Sequence, residues 1–201
     1  MRTAACTFQT EFYALVRIAT TIPTSGRRTM SRVIDTPRLS LVAATPAALR
    51  ADIAGFGLAD ILNADIGEWP PDAEYDAAAI QYTLNMQERD PRAREWGARY
   101  FVLKGARRTL IGVGGYTGPV KDGQVEIGYA IVPSQRRFGY ASEATAALVR
   151  YAFAASDVVR VIAHTLPHLA PSIGVLRKCG FNFVGPGAEP GVVRYAIERD
   201  C

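Results

Sequence analysis

The stretch from Val125 to Ala144 constrains this chain more than any other. Its apolar, β-branched first half, with Val125, Ile127 and Ile131, reads as a strand over 124–132. Pro133 cannot continue a hydrogen-bonded ladder, so the strand stops there. A short Arg/Gly loop comes next and leads into a predicted helix at 139–155, with Ala144, Leu148, Tyr151 and Ala152 on one stripe. A helix start leaves backbone N–H groups unpaired where the dipole adds positive potential. That is a seat for a phosphate or pyrophosphate. A ligand can thus lie along the strand end with its phosphates on the loop.

The rest of the pattern alternates short strands with short helices. A strand is predicted at 33–43, and Thr45-Pro46 supplies an N-cap and a first-turn proline for a helix to about Ile53. A second helix is expected near 59–66, then a stiff Trp69-Pro70-Pro71 loop. The spacing of Ile80, Leu84 and the Met86-Gln87 pair predicts a third helix over 76–88. Strands at 99–103 and 110–116 read as a hairpin, and Lys121-Asp122-Gly123 as the turn before strand 124–132. Strand 159–165, helix 171–178 and strands near 181–184 and 192–198 complete the series.

At 201 residues and 49% hydrophobic, the chain suits one globular domain with a sizeable core. Its net charge of +4 is unevenly spread. Residues 1–29 hold Arg2, Arg17, Arg27 and Arg28 against Glu11, while the body carries 19 basic and 18 acidic residues. A nearly neutral body argues against nucleic-acid binding by the folded domain. Residues 1–29 share no pattern with the rest of the chain, and are expected to be a disordered leader or an upstream extension of a protein starting at Met30. The domain is assigned to 30–201. Cys6, Cys179 and Cys201 are odd in number and widely spaced, which speaks against a disulfide framework or a metal site and fits a reducing cytoplasm. No apolar run approaches a membrane span.

The segment Arg136-Arg137-Phe138-Gly139-Tyr140-Ala141 resembles the R/Q-x-x-G-x-G/A signature of the Gcn5-related N-acetyltransferases. Glu126-Ile127-Gly128-Tyr129 and Ala141-Ser142-Glu143-Ala144 resemble the branch that acetylates ribosomal-protein alanines. Asp35-Thr36-Pro37-Arg38-Leu39-Ser40-Leu41 resembles that branch's opening strand, and Ser172 to Phe181 its second cofactor motif. Three motifs in the right order, over about residues 33–198, make a specific signal. The resemblance implies an α+β fold: a single domain with a mixed, mostly antiparallel sheet of six to seven strands, splayed at the cofactor strand, and about four helices. It implies an acyltransferase that moves an acetyl group from acetyl-CoA to a primary amine by direct attack in a ternary complex. The acceptor is a small molecule or a peptide, the enzyme a monomer or homodimer, and no metal is involved.

The same resemblance assigns the site. A backbone N–H near Ala130, Ile131 and Val132 would hold the acetyl carbonyl, with the pyrophosphate on the amides of Arg136, Arg137, Phe138, Gly139, Tyr140, Ala141 and Ser142. Relatives often carry Gly where this chain has Arg137, whose Cβ restricts the backbone but whose guanidinium can meet a phosphate. Glu126 alternates with Val125 and Ile127 and so faces away from both. It is either a general base or a carboxylate that fixes the splay. His164 aligns with a catalytic Glu of several relatives and is the second candidate base. Ser172 matches a Ser that contacts cofactor near the sulfur and protonates the thiolate; it also reads as an N-cap for the helix after it. The Asn that usually precedes it is Leu169 here, and Leu176 stands where relatives carry an acidic Tyr. Those two losses keep open a different class of function, a non-catalytic acyl-CoA-binding regulatory domain. Cys179 reads as packed. Trp69, Tyr82 and Trp96 read either as acceptor wall or as core.

Overall fold

The computed structural model describes residues 33–72 and 75–199. The leader expected at 1–29 lies outside them, as do Cys6 and Cys201. The strand expected at 33–43 is two strands, β1 (Val33–Asp35) and β2 (Leu39–Ala43), paired antiparallel. Thr36 turns the chain between them: its N–H donates to the Leu39 carbonyl (2.9 Å) and its Oγ1 accepts from the Leu39 N–H (2.8 Å). Thr-Pro can supply such a turn because Pro37 offers no N–H to a ladder.

Helix α1 (Pro46–Ala54) starts as its sequence requires, with the Thr45 hydroxyl accepting from Ala48 N and Pro46 in the first turn. The helix expected at 59–66 is shorter, α2 (Leu58–Leu62), because Asn63 adopts a left-handed conformation and ends it. Residues Asp65–Ile66 then form β3, which pairs parallel to β5 (Thr109–Tyr116). Helix α3 (Ala77–Arg89) is capped by Asp76 and buries Ile80, Leu84 and Gln87. The short α4 (Arg92–Glu95) leads into β4 (Ala98–Leu103). The central stretch forms β6 (Gln124–Ile131), a 3-10 turn at Pro133–Gln135 and α5 (Tyr140–Phe153). The chain ends with β7 (Arg160–Thr165), α6 (Ala170–Lys178), β8 (Asn182–Pro186) and β9 (Val193–Glu198).

The nine strands form one mixed, mostly antiparallel sheet ordered β1-β2-β4-β5-β6-β7-β9-β8, with β3 beside β5. The described residues thus hold nine strands and six helices where six to seven and about four were expected; the class stands and the added elements are short. Helices α5 and α6 cover one face over a core that includes Leu39, Leu41, Phe101, Ile127, Leu148 and Leu176. Helices α1, α2 and α3 cover the other, with Leu49, Leu62, Leu84, Tyr100, Val102 and Val113. Each fully buried leucine contributes roughly 1.5–3 kcal/mol of transfer free energy.

Strand β6 sets the site. Residues 127–131 pair antiparallel with β5, while 124–126 pair parallel with β7. Beyond Glu126↔Ile162 the two neighbours diverge and leave a slot along the second half of β6. Glycines on β5 permit this geometry. A Cβ on Gly112 would stand 2.4 Å from the Ala130 carbonyl, and one on Gly114 would stand 2.6 Å from that of Gly128.

Candidate active site

Strand alternation decides which β6 groups face the slot. Val132 N–H donates to the Ile111 carbonyl (2.9 Å), and Thr117 N–H donates to that of Glu126 (3.0 Å). In an antiparallel pair, bonded and non-bonded residues alternate, so Gly128 and Ala130 turn their N–H groups to β5. Tyr129 and Ile131 turn theirs away from it, into the slot. Of the three residues expected to hold an acetyl carbonyl, Ile131 therefore has an available amide, while the amide of Val132 is engaged by β5.

The loop after β6 ends in an uncapped helix. No side chain caps α5, whose N-cap is the left-handed Gly139 (φ 84°). Its first internal bond runs from Glu143 N to the Gly139 carbonyl (3.0 Å), so the N–H groups of Tyr140, Ala141 and Ser142 precede the ladder. They point outward with the positive end of the dipole, which suits a pyrophosphate. Arg137 has φ 70°, the left-handed region that a glycine would enter freely. Its side chain, like that of Phe138, is exposed. Arg136 is spent otherwise: its Nε donates to the Ile131 carbonyl (2.8 Å) and its Nη2 to that of Pro71 (3.1 Å).

At the point where β6 and β7 part, the two candidate bases meet. His164 Nδ1 lies 2.9 Å from Glu126 Oε1, with side chains 7% and 17% exposed. Val125 and Ile127 enter the core beneath α5, so Glu126 faces the α1–α3 side, as its alternation requires. Glu126 is in register with Ile162, and His164 lies two residues on, on the same face of β7. Arg194 stands opposite His164 on β9, and its Nη2 donates to Gln124 Oε1 (2.8 Å). A Cβ on Gly187 would stand 2.9 Å from His164 Cδ2, so that glycine lets the chain pack on the imidazole.

Ser172 sits inside α6, which starts at Ala170 with Leu169 as an N-cap that makes no side-chain bond. The capping role expected of Ser172 is thereby displaced, because Pro171 already belongs to the first turn. The Tyr129 hydroxyl instead reaches across to Ser172, 3.2 Å from its carbonyl and 3.4 Å from its Oγ. Burial pushes the Tyr129 phenol up to about 12; the hydrogen bond to Ser172 opposes that rise and nearby Cys179 adds to it. It is a neutral donor at physiological pH. Nothing in the motif spacing singles out Tyr129, since its partner lies 43 residues away. Cys179 donates to the Ser142 carbonyl (3.3 Å), and burial raises its thiol, so it packs rather than attacks.

The aromatic residues divide. Trp96 is 7% exposed and packs edge-on against Tyr116 in the α5-side core. Tyr82 lies half-buried on α3. Trp69 does line the opposite side, where its indole N–H donates to Asp52 Oδ1 (2.8 Å). Tyr75 and Tyr100 donate to the other oxygen of Asp52 (2.7 and 2.8 Å). Among the described residues no group of His, Cys, Asp and Glu is arranged to hold a metal ion, and no helix is long and apolar enough to cross a membrane.

Comparison with known proteins agrees with this fold. Residues 38–182 match the model of the acetyltransferase (GNAT) domain. The chain is 29% identical over 124 residues to the uncharacterized N-acetyltransferase YjdG of Bacillus subtilis (strain 168), covering 61% of this chain and 72% of that protein. Its fold is similar to that of a GNAT-family acetyltransferase from Bacillus anthracis, with TM-score 0.58, 22% identity, and 83% of this chain and 98% of that one covered. It is likewise similar to RimL, a ribosomal L7/L12 alpha-N-protein acetyltransferase, with TM-score 0.58, 19% identity, and coverage of 89% and 100%. A domain match over most of the chain, on a sheet splayed at the strand that carries the signature, identifies this chain as a member of the Gcn5-related N-acetyltransferase family, an acyltransferase that draws its acetyl group from acetyl-CoA.

Proposed function

We propose that the chain acetylates a primary amine, on a small molecule or at a peptide N-terminus, by direct attack within a ternary complex, with His164 as general base and Glu126 as the residue that positions it. The observation that carries this reading is the 2.9 Å contact between His164 Nδ1 and Glu126 Oε1 at the head of the slot. An ionised carboxylate only accepts, so it fixes the proton on Nδ1 and leaves Nε2 with a lone pair. An alkyl ammonium is mostly protonated near neutral pH and must lose a proton before it attacks. Nε2, held on the α1–α3 side of the sheet, can take that proton. The bound cofactor supplies an activated thioester. The Ile131 N–H stabilises charge that develops on its oxygen, and the amides from Arg137 to Ser142 seat its pyrophosphate. The Tyr129 and Ser172 hydroxyls, in contact on the far side of β6, supply a proton to the departing thiolate in place of the acid that Leu176 cannot be. A cytoplasmic monomer or homodimer belongs to the same reading, and the nearly neutral body supports the absence of a nucleic-acid partner.

CoA release by the full chain, measured with acetyl-CoA against a pooled library of amines and N-terminal peptides, tests the reading. Turnover on one acceptor class is the expected result, and His164→Ala then lowers kcat by roughly 10²–10⁴-fold, the range of general-base catalysis. Glu126→Gln lowers it less, because the imidazole survives without its orienting charge. Tight acetyl-CoA binding with no turnover anywhere in the pool would favour the regulatory acyl-CoA-binding domain instead.

A further inference from the structure

A loop that is to seat a polyanion must present its N–H groups and turn its carbonyls away. In this chain a side chain 100 residues away in the sequence does the turning. Arg38, in the turn between β1 and β2, donates from Nη1 to the Phe138 carbonyl (3.0 Å) and from Nε to Glu143 Oε2 (2.6 Å). Its guanidinium lies 4.5 Å from the centre of the Tyr140 ring. Glu143, in the first turn of α5, is gripped further by Thr36 Oγ1 (2.6 Å) and the Arg38 N–H (2.8 Å). Arg38 Nη2 also lies 3.5 Å from where a Cβ on Gly139 would stand. Arg137, next to Phe138 in this loop, has positive φ, and in a non-glycine residue that conformation persists only when its surroundings over-determine it.

We infer that the Thr36–Arg38 turn is a clamp on the cofactor loop: Arg38 and Glu143 are positioning residues that hold the Phe138 carbonyl outward and the amides of Tyr140, Ala141 and Ser142 toward the diphosphate of CoA. The inference rests on the reading that this loop seats the pyrophosphate. Arg38 acts through the loop and not as a phosphate ligand, because two of its three nitrogens are committed to Phe138 and Glu143. The stack on Tyr140 fixes the plane of the fork.

The test measures CoA affinity by calorimetry, and turnover with acetyl-CoA against turnover with acetyl-pantetheine, which lacks the phosphates. The proteins are the full chain and its Arg38→Ala, Arg38→Lys and Glu143→Gln variants. All three variants are expected to bind CoA at least tenfold more weakly, while kcat/KM with acetyl-pantetheine stays within twofold of the parent. Lysine does not rescue, because a point charge cannot hold Glu143 and Phe138 together. If Arg38→Lys and Glu143→Gln both keep parental affinity, Arg38 meets phosphate directly and the clamp is overturned. Equal losses with both acyl donors would make the contacts merely structural and overturn it as well. If the parent itself gains nothing from the phosphates of CoA, the loop reading fails beneath the clamp. A parent that prefers CoA, with variants that keep the preference, defeats the clamp alone.

Discussion

Arg137 occupies a backbone conformation that costs an L-residue about 1–2 kcal/mol, at φ 70° in the middle of the cofactor loop. Glycine there would remove the clash and add back roughly 0.5–1 kcal/mol of chain entropy lost on folding. Arg137→Gly is therefore expected to stabilise the protein by about 0.5–1 kcal/mol, a rise of about 1–4 °C in Tm for a chain of this size. Strain of this kind clusters at functional sites, and the Arg137 guanidinium is exposed on the loop proposed to seat the phosphates. The same variant should bind CoA roughly two- to fivefold more weakly, with a shallower salt dependence. A higher Tm with unchanged CoA affinity would remove Arg137 from the binding surface. The sequence discloses this residue because relatives often carry a glycine at its place. It conceals the role of Arg136, whose type matches the signature but whose guanidinium is taken by two carbonyls, one of them 65 residues away. It also conceals that Glu126 and His164, 38 residues apart, are in contact. Residue type and local spacing carry no information about a contact that only strand register creates.

Among the elements, β5 does the least visible work. Its Gly112 and Gly114 are required by close approach: a Cβ on Gly114 would meet the Gly128 carbonyl and Phe101 Cζ, each at 2.6 Å, and Tyr129 Cα at 2.9 Å. Two of those three atoms are backbone of the cofactor strand and cannot rotate aside. Gly114→Ala should cost about 1–3 kcal/mol by overpacking and, by pressing β6 toward the slot, weaken CoA binding together with stability. Chemical denaturation and CoA titration of the same variant check both; a loss of stability alone would mean that β6 does not yield. Strands and helices of ordinary length are legible because each carries its period or its caps: Thr45-Pro46 for α1, the spacing of Ile80 and Leu84 for α3, and the apolar stripe of α5. The short elements are not. β3 spans only Asp65–Ile66, too brief for any alternation to register. The Asp35 to Leu41 motif reads as continuous strand by its β-branched and apolar residues, yet Thr36 bends it, and that bend is what lets Arg38 reach α5.

Across the whole molecule, two cores on opposite faces of one sheet must be held in register if the acceptor is to meet the cofactor. The cofactor loop continues from the α5 face, while α1, α3 and the loop through Trp69 wall the other side. Trp69 packs against both cores. Arg136 joins the two sides, donating to the Ile131 carbonyl at the end of β6 and to the Pro71 carbonyl in the wall. Glu68 adds a second tie by accepting from Ser134 N–H (3.0 Å), and that backbone hydrogen bond is the chief cause holding its carboxyl below the usual range. Removing the guanidinium leaves the end of β6 tied to the wall loop by the exposed Glu68–Ser134 contact, which is worth little, and by the packing of Trp69. Arg136→Ala is therefore expected to raise KM for the acceptor roughly five- to tenfold, and by more than it raises KM for acetyl-CoA, because the wall drifts while the α5 amides stay in place. A direct phosphate contact predicts the opposite ranking, with the larger loss on acetyl-CoA and a salt dependence that flattens in the variant. Initial rates with both substrates varied, at two ionic strengths, separate the two: if acetyl-CoA takes the larger penalty, Arg136 belongs to the phosphate seat and the tie between the faces rests on Glu68 and Trp69.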